Sequence, residues 1–231
     1  METSEPVIKM VGVNKVYEGV VPTPVLFDID LNIYPGDFAV ILGKSGSGKT
    51  TLLNIAGLLD SATSGRIEVE GRAVHEMDED QRADLRRMFF GFIFQFHHLL
   101  PDFDVMENAL MPCRIRGKSF EDEAFERVAE MLRMVELGEK LKSYPSQLSG
   151  GQRQRVAVVR AFANQPRVVL ADEPTGSLDS KTTVQVLALM KDIMQKFGTA
   201  FVMVTHDEAM TDVANRVIEL KDGRIVRDEK K

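Results

Sequence analysis

One cysteine, Cys113, is the whole thiol complement of the chain. An internal disulfide is therefore excluded, and the composition suits a reducing compartment. Beside Pro112, that thiol reads as a small packed side chain rather than a nucleophile. No apolar run approaches the ~20 residues that cross a bilayer, so a membrane role has to come through a partner. Met1 to Pro6 has neither a basic nor an apolar leader region, and no secretory signal is expected. Positive charge is not in excess: the formal net charge is −6, which removes a chain-wide nucleic-acid footprint. Arg86-Arg87 and Arg153 to Arg160 remain as local anion sites. Repeats, low-complexity tracts and long linkers are absent. What is left, 44% hydrophobic and 28% charged over 231 residues, is the balance of an ordinary soluble globular protein. Its length suits one large α/β domain or two small ones.

Short strands are predicted over Val7 to Tyr17, Leu26 to Ile33, Phe38 to Leu42 and Gly65 to Val69. Turn signals at Pro22-Thr23-Pro24, Pro35-Gly36 and Glu70-Gly71 separate them. A helical stretch from Asp78 to Arg87 leads into a short apolar strand at Phe92-Ile93-Phe94. From Val105 to Gln165 the pattern is helical, with Ser119 and Asp122 spaced as a capping box. Ala124, Val128, Leu132 and Val135 then repeat along one face. After Pro166 strands alternate with a helix: Val168 to Ala171, helix Ser180 to Lys196, Thr199 to Val204, and Val217 to Leu220. Asp228 to Lys231 is expected to fray. This order implies an α/β fold with a mainly parallel sheet, N-terminal antiparallel strands and an inserted helical subdomain. Residues 1–94 and 166–231 would form the core, and 95–165 the insertion.

The strongest chemical signal is Gly43-Lys44-Ser45-Gly46-Ser47-Gly48-Lys49-Thr50, a match to G-x-x-x-x-G-K-[ST]. It lies between an apolar run and a helical segment beginning Thr51-Leu52-Leu53. Glycines at this spacing turn successive N–H groups onto an anion, and the helix N-terminus adds positive potential. Lys49 would reach the β- and γ-phosphates of a nucleoside triphosphate, and the Thr50 hydroxyl would ligate Mg²⁺. The run Val168 to Glu173 is a strand ending in two carboxylates at the sheet edge where ligands bind. Asp172 is placed to hold Mg²⁺, and Glu173 to polarise the attacking water. His206 follows a second apolar strand and can donate to the γ-phosphate. Gln95 ends a third and offers an amide to Mg²⁺ or the lytic water. Leu148-Ser149-Gly150-Gly151-Gln152 opens a helix, with Ser149 as its cap. This second anion-facing helix start, in a chain with one phosphate loop, is economically explained as serving the loop of another subunit.

Together these residues resemble the ATP-binding cassette (ABC) family of transport ATPases over essentially the whole chain. Gly43 to Thr50 matches the family's Walker A loop, with Thr51 beyond it. Val168 to Asp172 matches Walker B, Glu173 the catalytic base, and Leu148 to Gln152 the signature letter for letter. Gln95 matches the Q-loop, Ser177-Leu178-Asp179 the D-loop, and His206 the switch histidine. Tyr17 sits where the family stacks an aromatic on adenine, though an early strand also uses aromatics as core. The resemblance implies ATP and Mg²⁺ as cofactors. It further implies a head-to-tail homodimer in which Ser149, Gly150, Gly151 and Gln152 of one cassette face the nucleotide of the other. It also implies permease subunits in the membrane, and so a place on the cytoplasmic face of the inner membrane.

The stretch Phe96 to Pro112 is where the family receives the permease. Phe96, Leu99, Leu100 and Phe103 either line that groove or pack the subdomain. Gln95 to Phe103 is similar to lipoprotein-releasing (Lol-type) cassettes, and more broadly to the macrolide-exporter (MacB-type) and cell-division groups. One departure is Gln152, where several lipoprotein-releasing cassettes carry Glu. Other ABC exporters and importers stand as alternatives. A soluble ABC ATPase would show a coiled coil or a second cassette, and a small-molecule P-loop kinase would lack Leu148 to Gln152.

Overall fold

The computed structural model describes residues 5–176 and 178–231. In chain order its regular elements are β1 (Ile8–Tyr17), β2 (Thr23–Ile33), β3 (Phe38–Leu42), α1 (Lys49–Ala56), β4 (Ser64–Val69) and β5 (Arg72–Ala73). There follow α2 (Glu79–Phe89), β6 (Phe90–Ile93), α3 (Val105–Arg116), α4 (Lys118–Met134), α5 (Gly150–Phe162) and β7 (Val168–Asp172). The chain closes with α6 (Ser180–Phe197), β8 (Ala200–Thr205), β9 (Arg216–Lys221) and β10 (Arg224–Lys230). Two compact units emerge, one from residues up to Arg86 with Ala200–Lys231, the other from Arg87–Thr199.

The first unit contains an antiparallel sheet of order β2-β1-β4-β5. It also contains β10-β9-β3-β8, in which β3 runs parallel to both β8 and β9 while β10 returns antiparallel. β3 has strand neighbours on either side, and its first four residues Phe-Ala-Val-Ile are all buried; β8 is buried throughout. These continuous apolar runs are what a strand covered on both faces requires. The expected turn at Pro22 to Pro24 falls earlier, because Thr23 and Pro24 already belong to β2 and pair with Tyr17 and Val16. β2 is an edge strand, where a proline lacking its N–H is tolerated.

The C-terminal residues do not fray as their charge suggested. Asp228, Glu229 and Lys230 pair with Ile218, Val217 and Arg216. Arg216 is the reason. It is only 5% exposed, and its Nη1 donates to Asp37 Oδ2 at 2.7 Å. Its Nε and Nη2 grip Asp228 at 2.7 and 2.6 Å. Burial alone would lower the guanidinium's pKa, but the Asp228 and Asp37 carboxylates outweigh it and raise the pKa. A buried guanidinium without such partners is strongly destabilising, so β10 is held where a charged tail alone would not be.

In the second unit β6 and β7 pair in parallel, Phe90 opposite Val168. α5 lies so close to β6 that a Cβ on Gly91 would stand 2.1 Å from the Ala161 carbonyl, so only glycine fits. Ala124, Val128, Leu132 and Val135 are buried, as their spacing predicts. The capping box at Ser119 is not formed. Gly117 donates its N–H to the Cys113 and Arg114 carbonyls, closing α3, and α4 starts at once with Lys118. Ser119 is thereby inside the helix, where its hydroxyl cannot cap. Capping boxes form instead at Asp104/Glu107 and Ser149/Gln152.

Candidate functional site

The phosphate loop belongs to the first unit, between β3 and α1. Gly46 and Gly48 adopt φ of 80° and 98°, the left-handed region open to glycine. A Cβ at Gly43 would stand 2.4 Å from the Leu220 carbonyl, so the loop's first residue has no room for a side chain. Lys49 is 9% exposed, with Nζ donating to the Gly43 and Lys44 carbonyls at 2.7 and 3.0 Å. Ser47 Oγ is buried without a hydrogen-bond partner. α1 has no side-chain cap and no acidic residue in its first turn. Its earliest helical bond runs from Leu52 N to Gly48 O at 2.8 Å. The N–H groups of Lys49, Thr50 and Thr51 are thus the orphan donors of a helix start, while Lys44, Ser45, Gly46 and Thr50 face solvent. A tri- or diphosphate fits this donor set of N–H groups, one ammonium and hydroxyls, with no acid in the first turn of α1; Glu208 and Glu219 line the cleft beside Gly43 and Lys44.

His206 directly follows β8. Together with Leu42, Gly43 and Lys44 it lines a cleft of about 500 Å³, which places the histidine beside the phosphate loop. Tyr17, at the end of β1, is 41% exposed; its hydroxyl donates to Asp60 Oδ2 at 2.8 Å. Lys15 Nζ lies 4.6 Å from the Tyr17 ring centroid and bonds Asp60 Oδ1 at 2.7 Å. Burial pushes the Asp60 carboxyl up, but bonds from Lys15 and Tyr17 prevail and hold it below its ordinary value.

The second unit carries the carboxylates. Asp172 ends β7, and Glu173 follows with φ of 46°, an uncommon conformation for a residue with a side chain. Such strain persists only where neighbours over-determine it, and it gathers at functional sites. The Gly176 N–H closes a turn onto the Glu173 carbonyl at 3.1 Å. A Cβ on Gly176 would lie 3.7 Å from Glu173 Cβ and 4.0 Å from Gln95 Nε2, so Gln95 and Glu173 flank one turn. At the start of α5, Ser149 Oγ accepts from Gln152 N at 3.2 Å and Gln152 Oε1 accepts from Ser149 N at 2.9 Å. Gly151 is closely packed, its Cβ position being 3.1 Å from Thr182 Cγ2, whereas at Gly150 that space is open. Of Ser177-Leu178-Asp179, Ser177 lies outside the described residues; Asp179 caps α6 through Thr182 N at 3.0 Å.

Residues 26–176 match the profile of the family described as ABC transporter. The chain belongs to that family.

This cassette is 48% identical over 225 residues to the lipoprotein-releasing system ATP-binding protein LolD of Anaeromyxobacter dehalogenans, covering 96% of this chain and 94% of that protein. It is 44% identical to the macrolide export ATP-binding/permease protein MacB of Syntrophobacter fumaroxidans, over 94% of this chain and 31% of that one. Among solved structures, the dimeric bacterial ABC transporter cassette MJ0796 superposes with a TM-score of 0.88 at 41% identity, covering 96% of this chain and 98% of that one. A post-hydrolysis dimer of the same cassette, bound to ADP and Pi, also scores 0.88, at 40% identity and the same coverage. The chain is therefore an ABC transporter ATPase with the cassette fold.

The segment after Gln95 divides by exposure. Phe96 is 69% exposed and Leu100 40%, whereas Leu99 is buried and Phe103 half-buried. Asn108, given no role of its own in the sequence reading, fixes this segment: its amide donates to the carbonyls of Leu100, Phe103 and Asp104, and its oxygen accepts from Leu100 N. Arg160 of α5 adds bonds to the carbonyls of His97 and His98, both 2.8 Å. No helix among the described residues is long and apolar enough to cross a membrane.

Proposed function

We propose that this cassette powers a separate membrane permease by hydrolysing ATP between two copies of itself, in the manner of lipoprotein-releasing systems. The observation that carries the catalytic part is the phosphate loop, whose ammonium, orphan N–H groups and glycine backbone form a cradle with no acid in the first helical turn. Lys49 exchanges its two carbonyl partners for phosphate oxygens. The Glu173 carboxylate orients the attacking water and takes its proton, and His206 donates to the γ-phosphate. Ser149 Oγ already accepts the cap bond, which leaves its O–H to donate to the partner's nucleotide beside Gly150, Gly151 and the Gln152 amide. Tyr17 contributes a ring face to adenine.

The hydroxyl of Thr50, the Asp172 carboxylate and the Gln95 amide are oxygen donors of the kind a hard cation takes, and they would hold Mg²⁺. No group of three or more His, Cys, Asp or Glu among the described residues could hold a metal by itself. That agrees with Mg²⁺, which is bound through few protein ligands and the substrate's phosphates. When bound, Mg²⁺ screens phosphate charge.

The cargo reading rests on likeness to LolD and on the Gln95 to Phe103 run, where Phe96 and Leu100 present apolar surface for a permease helix. The cassette then sits on the cytoplasmic face of the inner membrane without nucleic acid as a partner. The test is Glu173→Gln, tagged and captured from native membranes with ATP. Turnover should fall by ~10²-fold or more, the usual contribution of a general base, while an ATP-bound dimer accumulates. Wild-type turnover would remove Glu173 as the base. Recovery of a four-span permease with a large extracytoplasmic domain supports the cargo reading; a many-span permease with little outside the membrane overturns it.

A further inference from the structure

Gln154 lies in the first turns of α5, behind the signature residues, and is 1% exposed. Its Nε2 donates to the Phe94 carbonyl at 3.3 Å and to the Pro174 carbonyl at 2.9 Å. Phe94 immediately precedes Gln95, and Pro174 immediately follows Glu173. One side chain thus holds the backbone next to both residues assigned to water and metal. Because each partner is a carbonyl oxygen, the amide can only present its NH₂, and its two protons serve the two acceptors.

The backbone it grips is demanding. Glu173 is left-handed, with φ of 46°, and Pro174 has no N–H with which to fasten the loop. The Gly176 N–H secures the Glu173 carbonyl on one side of the turn, and Gln154 secures the Pro174 carbonyl from the other. Further along α5, Arg160 binds the His97 and His98 carbonyls, so the segment after Gln95 is tied to the same helix. His98 is itself left-handed, with φ of 44°.

We propose that Gln154 is a positioning residue for hydrolysis, which ties the Glu173 turn and the Gln95 loop to the signature helix through one amide. A displacement at the start of α5 then reaches both loops together, and productive geometry at Glu173 depends on where the signature helix stands. This inference rests on the reading of Glu173 as the base.

The experiment compares Gln154→Met, Gln154→Glu and Glu173→Gln in the full chain, measuring kcat and KM for ATP and the melting temperature. Gln154→Met keeps the volume and removes both donors, so kcat should fall tenfold or more with KM within twofold of wild type. Gln154→Glu sets a carboxylate against two carbonyls. Its turnover relative to wild type should rise several-fold from pH 8.5 to pH 6, as protonation returns one O–H donor. Should Gln154→Met fail to fold, the pH dependence of Gln154→Glu decides alone, and a flat ratio to wild type overturns the proposal. A folded Gln154→Met with wild-type kcat overturns it, as does a loss of kcat matched by an equal rise in KM. If Glu173→Gln retains turnover, the reading of the base fails; if it is inactive while Gln154→Met is not, only this inference fails.

Discussion

The starts of α1 and α5 both use glycine, and they satisfy their first N–H groups in opposite ways. α1 is entered through Gly48 in the left-handed region, with no side chain over its N-terminus. α5 is entered through Ser149, which closes a full capping box with Gln152 before Gly150 and Gly151 begin the helix. A helix start capped by its own residues is a structural terminus. One left with orphan donors and no acid is a binding terminus, completed by its ligand. In α5 the cap leaves over one hydroxyl proton and the open face at Gly150, and the proposed role of this helix start rests on those two.

The contrast can be broken most severely at Lys49. Lys49→Ala removes the ammonium proposed to make charge-assisted bonds to phosphate, each worth about 1.5–3 kcal/mol. Nucleotide affinity should fall roughly 100-fold, read by equilibrium binding of ATP, while the cassette remains folded. Unchanged affinity would mean that α1 is not the binding terminus. A smaller effect, with opposite signs on stability and activity, is expected at α5. Gly150→Ala has room for its methyl group and gains backbone rigidity, adding up to about 0.5 kcal/mol. Turnover by the dimer should nevertheless drop roughly tenfold if, as proposed, that open face meets the partner's nucleotide. A variant both more stable and fully active would show that the face is only surface.

The smallest effect concerns His97, beside the same helix. Burial first, then the charges of Arg153, His98 and Arg160, hold its pKa below the ordinary 6.5. Folded chain therefore binds fewer protons at His97 than unfolded chain. The stability due to its neutral form is complete above pH 6.5 and is lost as pH falls through the lowered folded value. His97→Gln should flatten the loss of melting temperature between pH 7 and pH 5; an unaltered slope would assign acid sensitivity elsewhere.

The phosphate loop, the carboxylates after β7 and the start of α5 were legible because each depends on a short run of residues whose chemistry is local. The apolar strand that leads into the loop and the one paired beside it were legible for the same reason: Phe38 to Leu42 and Ala200 to Thr205 admit little besides a buried strand. β10 was not, because its hold on the fold is a buried arginine rather than an apolar stripe, and Arg216 looks like any surface arginine in sequence. Ser119 misled because capping chemistry is decided by where the previous helix stops, which Gly117 fixes. Gln154 left no trace at all. Its partners are backbone carbonyls far away along the chain, and a carbonyl belongs to every residue.

Lys49 gives the phosphate loop an occupant of its own. Its ammonium donates to the Gly43 and Lys44 carbonyls, so the side chain fastens the loop backbone to the start of α1. On the proposed reading, nucleotide binding exchanges those two carbonyls for phosphate oxygens around one cation. The same economy limits what the loop can recognise. It senses charge and oxygen spacing, which every nucleoside triphosphate presents alike, and the choice among nucleobases is left to surfaces outside it.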